Sequence, residues 1–249
     1  MKKLLLLSLS LMAISTSIAQ EKTATDTVPN GWKRAGNVSL LFNQAAFNHE
    51  WTGGGTSNYA GNVSLTYDFN YKKDKISWNN KLLADYGITK NRDDKYSRKT
   101  NDRLEFNSIL GRQIKESNWY KSLFLNFKTQ FTSGYEFNED LQPDDAGYRT
   151  ETTHFLSPAY IQFGPGLLWK KTDNLYVNIS PATAKFILVD KDFTAVDESV
   201  PGALDAYNAN KYFGVDANET SRFEFGASLS GYAKFDIMPN ISAENILNL

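Results

Sequence analysis

Between Ser57 and Tyr71 the chain alternates without interruption: Tyr59, Val63, Leu65, Tyr67, Phe69 and Tyr71 occupy odd positions, and Asn58, Asn62, Ser64, Thr66, Asp68 and Asn70 even ones. A period of two is that of a β-strand with one apolar and one polar face. Such a run, at about 3.3 Å per residue, reaches roughly 50 Å, far more than the five or six residues of an ordinary soluble strand. It suits a tilted strand that crosses a bilayer and projects from it.

The pattern recurs along the chain. A first strand sets Val38, Leu40 and Phe42 against Asn37, Ser39 and Asn43, and the run above is the second. The third opposes Ile76, Trp78, Leu82, Ala84, Tyr86 and Ile88 to Ser77, Asn79, Lys81, Asp85 and Thr89, and the fourth Leu104, Phe106 and Leu110 to Arg103, Glu105 and Asn107. A fifth runs from Ser122 to Tyr135 with Leu123, Leu125 and Phe127 on one face; a sixth runs from Phe155 to Trp169, and a seventh begins Leu175, Val177, Ile179. Pro158, Pro165 and Pro181 each remove a ladder donor there, so a bulge or an interrupted strand is expected. The eighth opposes Phe223, Phe225, Ala227, Leu229, Ala233, Phe235 and Ile237 to Arg222, Glu224, Ser228, Ser230, Lys234 and Asp236, and Ile241, Ala243 and Leu247 begin a ninth. Alternation over six residues arises by chance, but its repetition does not.

The expected fold is all-β: an antiparallel, transmembrane, up-and-down β-barrel. Short connections at 72–75, 115–119, 170–174 and 238–240 alternate with long ones at 48–56, 90–101, 136–153 and 190–220, as in barrels of the outer membrane, where short turns face the periplasm. Tyr71, Trp78, Trp119, Tyr120, Trp169 and Tyr176 lie beside the short turns and are the expected membrane-interface aromatics. An odd strand count does not close a typical bacterial single-chain barrel, so ten to twelve strands are expected, with the chain cut short at its C-terminus. The competing architecture is a soluble lipocalin-like barrel with the same faces turned the other way.

The polar face carries Asp68, Lys81, Asp85, Arg103, Glu105, Arg112, Lys128, Arg222, Glu224, Lys234 and Asp236, the candidates for the lumen. With both signs in near balance, they are expected to pair across the interior; a selectivity lining is the alternative.

Lys2 and Lys3 precede an apolar run from Leu4 to Ile14 and then Ser17-Ile18-Ala19, a secretory signal peptide with cleavage after Ala19. The run is too short to span a bilayer as a helix. The expected organisation is a signal peptide at 1–19, a periplasmic segment at 20–35 and the barrel at 36–249, in the outer membrane of a Gram-negative bacterium. The chain has no cysteine, which excludes disulfides, thiol catalysis and a lipidated N-terminal Cys. Its formal net charge of −1, lower by two once Lys2 and Lys3 are removed, gives no footing for nucleic acid. The expected partners are outer-membrane lipid, lipopolysaccharide and the barrel-assembly machinery.

Chemistry-bearing motifs are sparse. The two histidines are His49, in the Gly53-Gly54-Gly55 loop, and His154; Ser157 lies three residues beyond His154, on the opposite face of a strand. A lipid hydrolase built on them is a minor reading, and no catalytic residue, cofactor or metal site is assigned. Glu136, Glu139, Asp140, Asp144, Asp145 and Glu151 offer oxygens for calcium without the spacing of a dedicated calcium loop. The glycine run leads into a strand, not into a helix N-terminus as a phosphate loop would.

Asn43-Gln44-Ala45-Ala46-Phe47, followed by Trp51-Thr52-Gly53-Gly54-Gly55 and the Tyr59 strand, resembles a family of uncharacterised outer-membrane barrel proteins of Bacteroidetes-type bacteria. The resemblance runs across the mature chain, with His49-Glu50 slightly expanding the spacing before Trp51. It implies fold and location, and transfers no functional residue. The expected role is a passive channel or structural component of the envelope, with loop-mediated binding as the alternative.

Overall fold

The computed structural model describes residues 30–47 and 55–249. The expected signal peptide, His49 and the Trp51–Gly54 stretch lie outside them.

Among the described residues eleven strands form in two sheets. The main sheet takes β1 (Gly31–Ala45), β2 (Asn58–Lys73), β3 (Ile76–Asn91), β4 (Arg98–Gln113), β5 (Trp119–Thr129), β8 (Ala159–Thr172), β9 (Leu175–Leu188), β10 (Ser221–Met238) and β11 (Ile241–Asn248). Every neighbouring pair is antiparallel and the spatial order follows the chain, so the sheet is an up-and-down meander with β1 and β11 at its ends. A hairpin of β6 (Gly134–Phe137) and β7 (Arg149–Thr153) is inserted between β5 and β8. No helix is long and apolar enough to cross a membrane among the described residues.

The alternation predicted from sequence sets the faces. Leu40↔Val63, Val63↔Tyr86, Tyr71↔Trp78, Trp78↔Leu110, Leu110↔Leu123, Leu125↔Phe163, Phe163↔Ala184 and Ala184↔Phe225 place the apolar residues together. Contacts that skip a strand show which way the sheet curls. Ser122 Oγ on β5 donates to Asn178 Oδ1 on β9 at 2.7 Å, Lys170 Nζ on β8 reaches Asn79 Oδ1 on β3 at 3.5 Å, and Lys81 Nζ on β3 stands 5.6 Å from the Tyr232 ring on β10. All six side chains lie on the polar face, which is therefore concave, and the apolar face is convex.

Turn chemistry fits the short connections. Asp74-Lys75 joins β2 to β3 with Asp74 at φ 51°, a conformation short polar side chains tolerate, and Asp173-Asn174 and Pro239-Asn240 join β8–β9 and β10–β11. The long connections are more structured than expected. β3 and β4 continue pairing to Thr89↔Arg98, so that loop shrinks to 92–97. β5 ends at Thr129, short of the expected Tyr135, because the Asp102 carboxylate accepts from the Phe131 and Thr132 amides at 2.7 and 3.0 Å and draws the chain off the ladder. β1 begins at Gly31, ahead of the expected start at 36, and brings Trp32 against Tyr71.

Strands β8 and β9 pass through Pro165 and Pro181 by shifting register between Phe163 and Leu167, and β10 shifts between Gly226 and Ser228. Two glycines permit this. A Cβ on Gly164 would lie 2.4 Å from the Ala182 carbonyl oxygen, and one on Gly166 2.7 Å from that of Ile179 and 2.5 Å from Ser180 Oγ. Backbone this close cannot yield to a methyl group. Gly164→Ala is expected to cost about 1–3 kcal/mol in a denaturant titration, while Gly226→Ala, with nothing within 4 Å of the added Cβ, stays within about 0.5 kcal/mol of wild type. Equal losses at both positions would contradict the bulge geometry.

Candidate functional site

The concave face carries several polar clusters. Arg103 donates to Asp85 through Nε at 2.9 Å and Nη2 at 2.5 Å and approaches Glu105 at 3.8 Å. Glu105 also accepts from Asn107 and Asn126, and Lys81 stands 3.8 Å from Asp68. On the other side of the concavity Glu224 takes Lys185 at 2.9 Å and Arg222 at 2.9 Å. Between them Ser122, Asn178 and Ser180 form a buried hydrogen-bonded row, and Thr183 shares a hydrogen bond with Ser228. Gly166 supports this row by having no side chain, since a Cβ there would lie 3.0 Å from Ser122 Oγ.

Most predicted lumen residues meet here: Asp68, Lys81, Asp85, Arg103, Glu105, Lys128, Arg222, Glu224, Lys234 and Asp236 share the face, with Lys234 and Asp236 exposed near the β10–β11 turn. Arg112 does not. It pairs with Ile76 and Lys121 on the convex face, because its even number continues the row Leu104, Phe106, Leu110. Two predicted interface aromatics also change sides. Tyr120 pairs with Gln113 and Leu168, and Tyr176 with Tyr232 and Lys170, all on the concave face, where the two tyrosines Tyr176 and Tyr232 stack at 5.5 Å. Tyr71, Trp78, Trp119 and Trp169 remain convex, and Trp32, which lies 5.2 Å from Tyr71 and 5.6 Å from Trp78, joins them. Sequence reasoning also misses Lys185 and Lys170: Lys185 is separated from the start of β9 by the proline-bearing bulge, across which parity no longer reports the face, while Lys170 keeps the even parity of the concave residues of β8 but falls in the stretch read as a turn.

A polar knot on the convex face lies near the short turns. Asn80 is buried, donates through Nδ2 to the Phe69 carbonyl at 3.0 Å and accepts from Ser108 Oγ at 2.8 Å, and Trp78 Nε1 donates to the same Ser108 hydroxyl at 2.9 Å. Satisfied in this way, an Asn side chain is tolerable among aromatic rings and fixes the indole.

At the end opposite the short turns, residues 189–220 fold into a compact loop. Val189 N–H donates to the Thr220 carbonyl, Thr194 Oγ1 to that of Glu219 at 2.6 Å, and Asn218 bonds both backbone groups of Val196. A short helix, α1 (Ala203–Ala209), and two 3-10 turns lie within it. Val215 is fully buried with Ile187 and Val189, and Tyr160 and Tyr212 pack on them. Ile187 and Tyr160 are the last inward residues at that end, so the loop covers the β8–β10 side of the concavity. It also reaches the hairpin: Tyr212 Oη donates to the Thr152 carbonyl at 2.6 Å, and Phe193 lies between Tyr212 and His154.

His154 sits between two carboxylates, Glu151 at 3.0 Å from Nδ1 and Asp190 at 3.4 Å from Nε2. Ser157 is buried, and its hydroxyl accepts from the Asp190 amide. The two side chains that a hydrolase would pair engage other partners. The acidic stretch is likewise engaged: Glu139 bonds Arg98 at 2.9 Å, Asp144 pairs with Lys95, and Asp145 accepts from the Gln142 amide. A shallow recess of about 510 Å³ lies among Glu136, Phe137, Asn138, Glu139 and Asp140. Among the described residues no three His, Asp or Glu groups converge as metal ligands.

Tyr212 and Asp173 are among the groups outside the strands that titrate away from their ordinary range. Burial pushes the Tyr212 phenol up. At Asp173, in the β8–β9 turn, partial burial pushes the carboxyl up, but the Lys170 ammonium at 2.7 Å, with Lys33 and Lys72 behind it, reverses the effect and holds it below the usual carboxylate range.

A model of the family described as protein of unknown function (DUF3078) matches residues 42–135, from the end of β1 into β6. No curated protein and no solved structure matches the chain.

Removing the Tyr212 hydroxyl with Tyr212→Phe is expected to cost the loop about 0.5–1.5 kcal/mol of docking and to speed proteolytic nicking within 190–220 about three- to tenfold without shifting global unfolding; an unchanged rate would refute the docking role. Since the folded pKa of Asp173 is depressed, its contribution is complete above the unfolded value near 3.9 and is lost as pH falls through the folded one. Asp173→Asn should therefore be less stable than wild type at about pH 6, with the difference shrinking as pH falls below about 4, as read by unfolding midpoints across pH.

Proposed function

We propose that the chain is an outer-membrane β-barrel protein of a Gram-negative bacterium, exported through a cleaved signal peptide and serving the envelope as a passive structural component that carries its long loops on a filled interior. The observation that carries this reading is an inside-out distribution of polarity. On the convex face Val38, Leu40 and Phe225 are 69, 75 and 70% exposed, while on the concave face Asn178 and Ser180 are 1 and 0% exposed. A soluble barrel buries its apolar face and wets the other, so this arrangement supports hydrocarbon outside the sheet and argues against a lipocalin-like carrier.

Strand length and aromatic placement support the same reading. β2, β3 and β4 each have 16 residues, enough to cross the roughly 30 Å of a bilayer core at a tilt and extend beyond it. Trp32, Tyr71, Trp78, Trp119 and Trp169 gather toward the short turns, as an interfacial girdle would. An open conduit is less well supported than a structural role, because ion pairs and the buried Ser122–Asn178–Ser180 row occupy the concavity. The reading includes no catalysis, in keeping with the other partners of His154 and Ser157. The folded loop 189–220, held by its own hydrogen bonds, favours a second reading in which the loops bind a partner outside the membrane.

The test is migration of the full-length protein from the outer-membrane fraction on a gel with and without boiling. A folded, detergent-resistant barrel shifts on boiling. A protein that shows no shift and is recovered in the soluble periplasmic extract would overturn the reading.

A further inference from the structure

Most ion-paired strand cations lie on the concave face, although the exposed Lys33, Lys72 and Lys128 share that face and have no carboxylate within 4 Å among the described residues. On the concave side Lys81, Arg103, Lys170, Lys185 and Arg222 each face a carboxylate within 4 Å. On the convex side, at the short-turn end, Arg34, Lys73, Arg112 and Lys121 are exposed, and none pairs with a carboxylate among the described residues.

Register makes the second group stranger. Lys73↔Ile76, Ile76↔Arg112, Arg112↔Lys121 and Lys121↔Leu167 lie in one row across five strands, so two like charges stand directly opposite each other on neighbouring strands. Cβ atoms of such a pair are about 5 Å apart, and like charges there are destabilising unless a counter-ion lies between them. The row occupies a defined level. Trp78 and Leu123 are the next convex residues toward the middle of the sheet, and the directly paired Trp119 and Trp169 lie on the turn side. Arg34 stands one convex step inward from Trp32. The Lys73–Arg112–Lys121 row is thus bracketed by indoles, Trp78 on its inner side and Trp119 and Trp169 on its turn side, at a level where acyl chains would meet their phosphates.

Resting on the membrane reading above, we infer that the convex row centred on Arg112 and Lys121 binds the headgroup phosphate of anionic phospholipid, with acyl chains lying over Ile76, Leu110 and Leu123. The guanidinium and the ammonium share one phosphate, which removes their mutual repulsion, and the flanking indoles hold the glycerol level. The site makes the short-turn end prefer a leaflet containing anionic phospholipid, through charges that act within a Debye length of the surface.

The experiment compares wild type, Arg112→Gln/Lys121→Gln and Arg112→Glu as full-length proteins in vesicles of phosphatidylcholine and in vesicles of phosphatidylcholine mixed with phosphatidylglycerol. The readouts are the boiling-sensitive gel band for insertion and native mass spectrometry of the lipid each protein retains. Wild type should retain phosphatidylglycerol over phosphatidylcholine. The double variant should lose about thirty-fold of that preference, the effect of two basic side chains beside an anionic headgroup. Arg112→Glu, which gives Lys121 a cross-strand partner and so folds readily, should lose it too. Lys90→Gln/Lys191→Gln, which removes as much charge from the loop end, should keep it. Equal insertion in phosphatidylcholine with the preference retained by both Arg112 variants overturns the site alone. Failure of every protein, wild type included, to insert in either vesicle overturns the membrane reading and the site with it.

Discussion

A polar group taken from water and left without a partner costs a few kcal/mol, and the concave face of this sheet is largely polar. Among the described residues, no buried side-chain nitrogen or oxygen lacks a hydrogen-bond partner. That condition explains features that otherwise look unrelated. Gly166 leaves room for Ser122 to reach Asn178 across β8, the register slips by one residue where Pro181 has no N–H to give, and Glu224 serves two cations at once. An apolar core tolerates small misfits by sliding; a hydrogen-bonded one specifies its register, since moving a strand by one residue would exchange the faces.

Satisfied polarity inside also explains why the outside can be featureless. Val38, Leu40, Phe42, Phe223 and Phe225 make few demands on their neighbours, and the convex surface needs only to be apolar and continuous. The exceptions lie toward the short turns, where the cations Arg34, Lys73, Arg112 and Lys121 share the face and where Asn80 and Ser108 tie Trp78 to the sheet and Trp32 closes over Tyr71. Side chains that mark a level along the strand are held; side chains that only fill area are not.

Period-two alternation made the two faces, the order of the strands and the separation of short from long connections legible from sequence, because each depends on local spacing alone. Errors came where parity was not followed or could not be. Charge points Arg112 toward the interior although its number places it with Leu110, and nearness to turns points Tyr120 and Tyr176 toward the membrane interface although adjacent residues point in opposite directions. Lys185 was lost behind Pro181, where a bulge resets the count. The β6–β7 hairpin and the fold of 189–220 rest on long-range partners, such as Asp102 for the Phe131 amide and Thr152 for Tyr212, and no local pattern announces those.

The two ends of the sheet follow different rules because their connections differ in length. The short connections, two residues at 74–75, 173–174 and 239–240 and five at 114–118, pair no carboxylate with the convex cations at that end among the described residues, while the long loops fold back and neutralise themselves through Arg98–Glu139, Lys95–Asp144 and Lys211–Asp216. Some 50 Å of strand separates the ends, several times the screening length of about 8–10 Å in ordinary salt, so neither end moderates the other. The sheet thus isolates a basic, aromatic rim from a self-paired loop surface. Whatever neutralises Arg112 and Lys121 must come from the medium against which that rim rests.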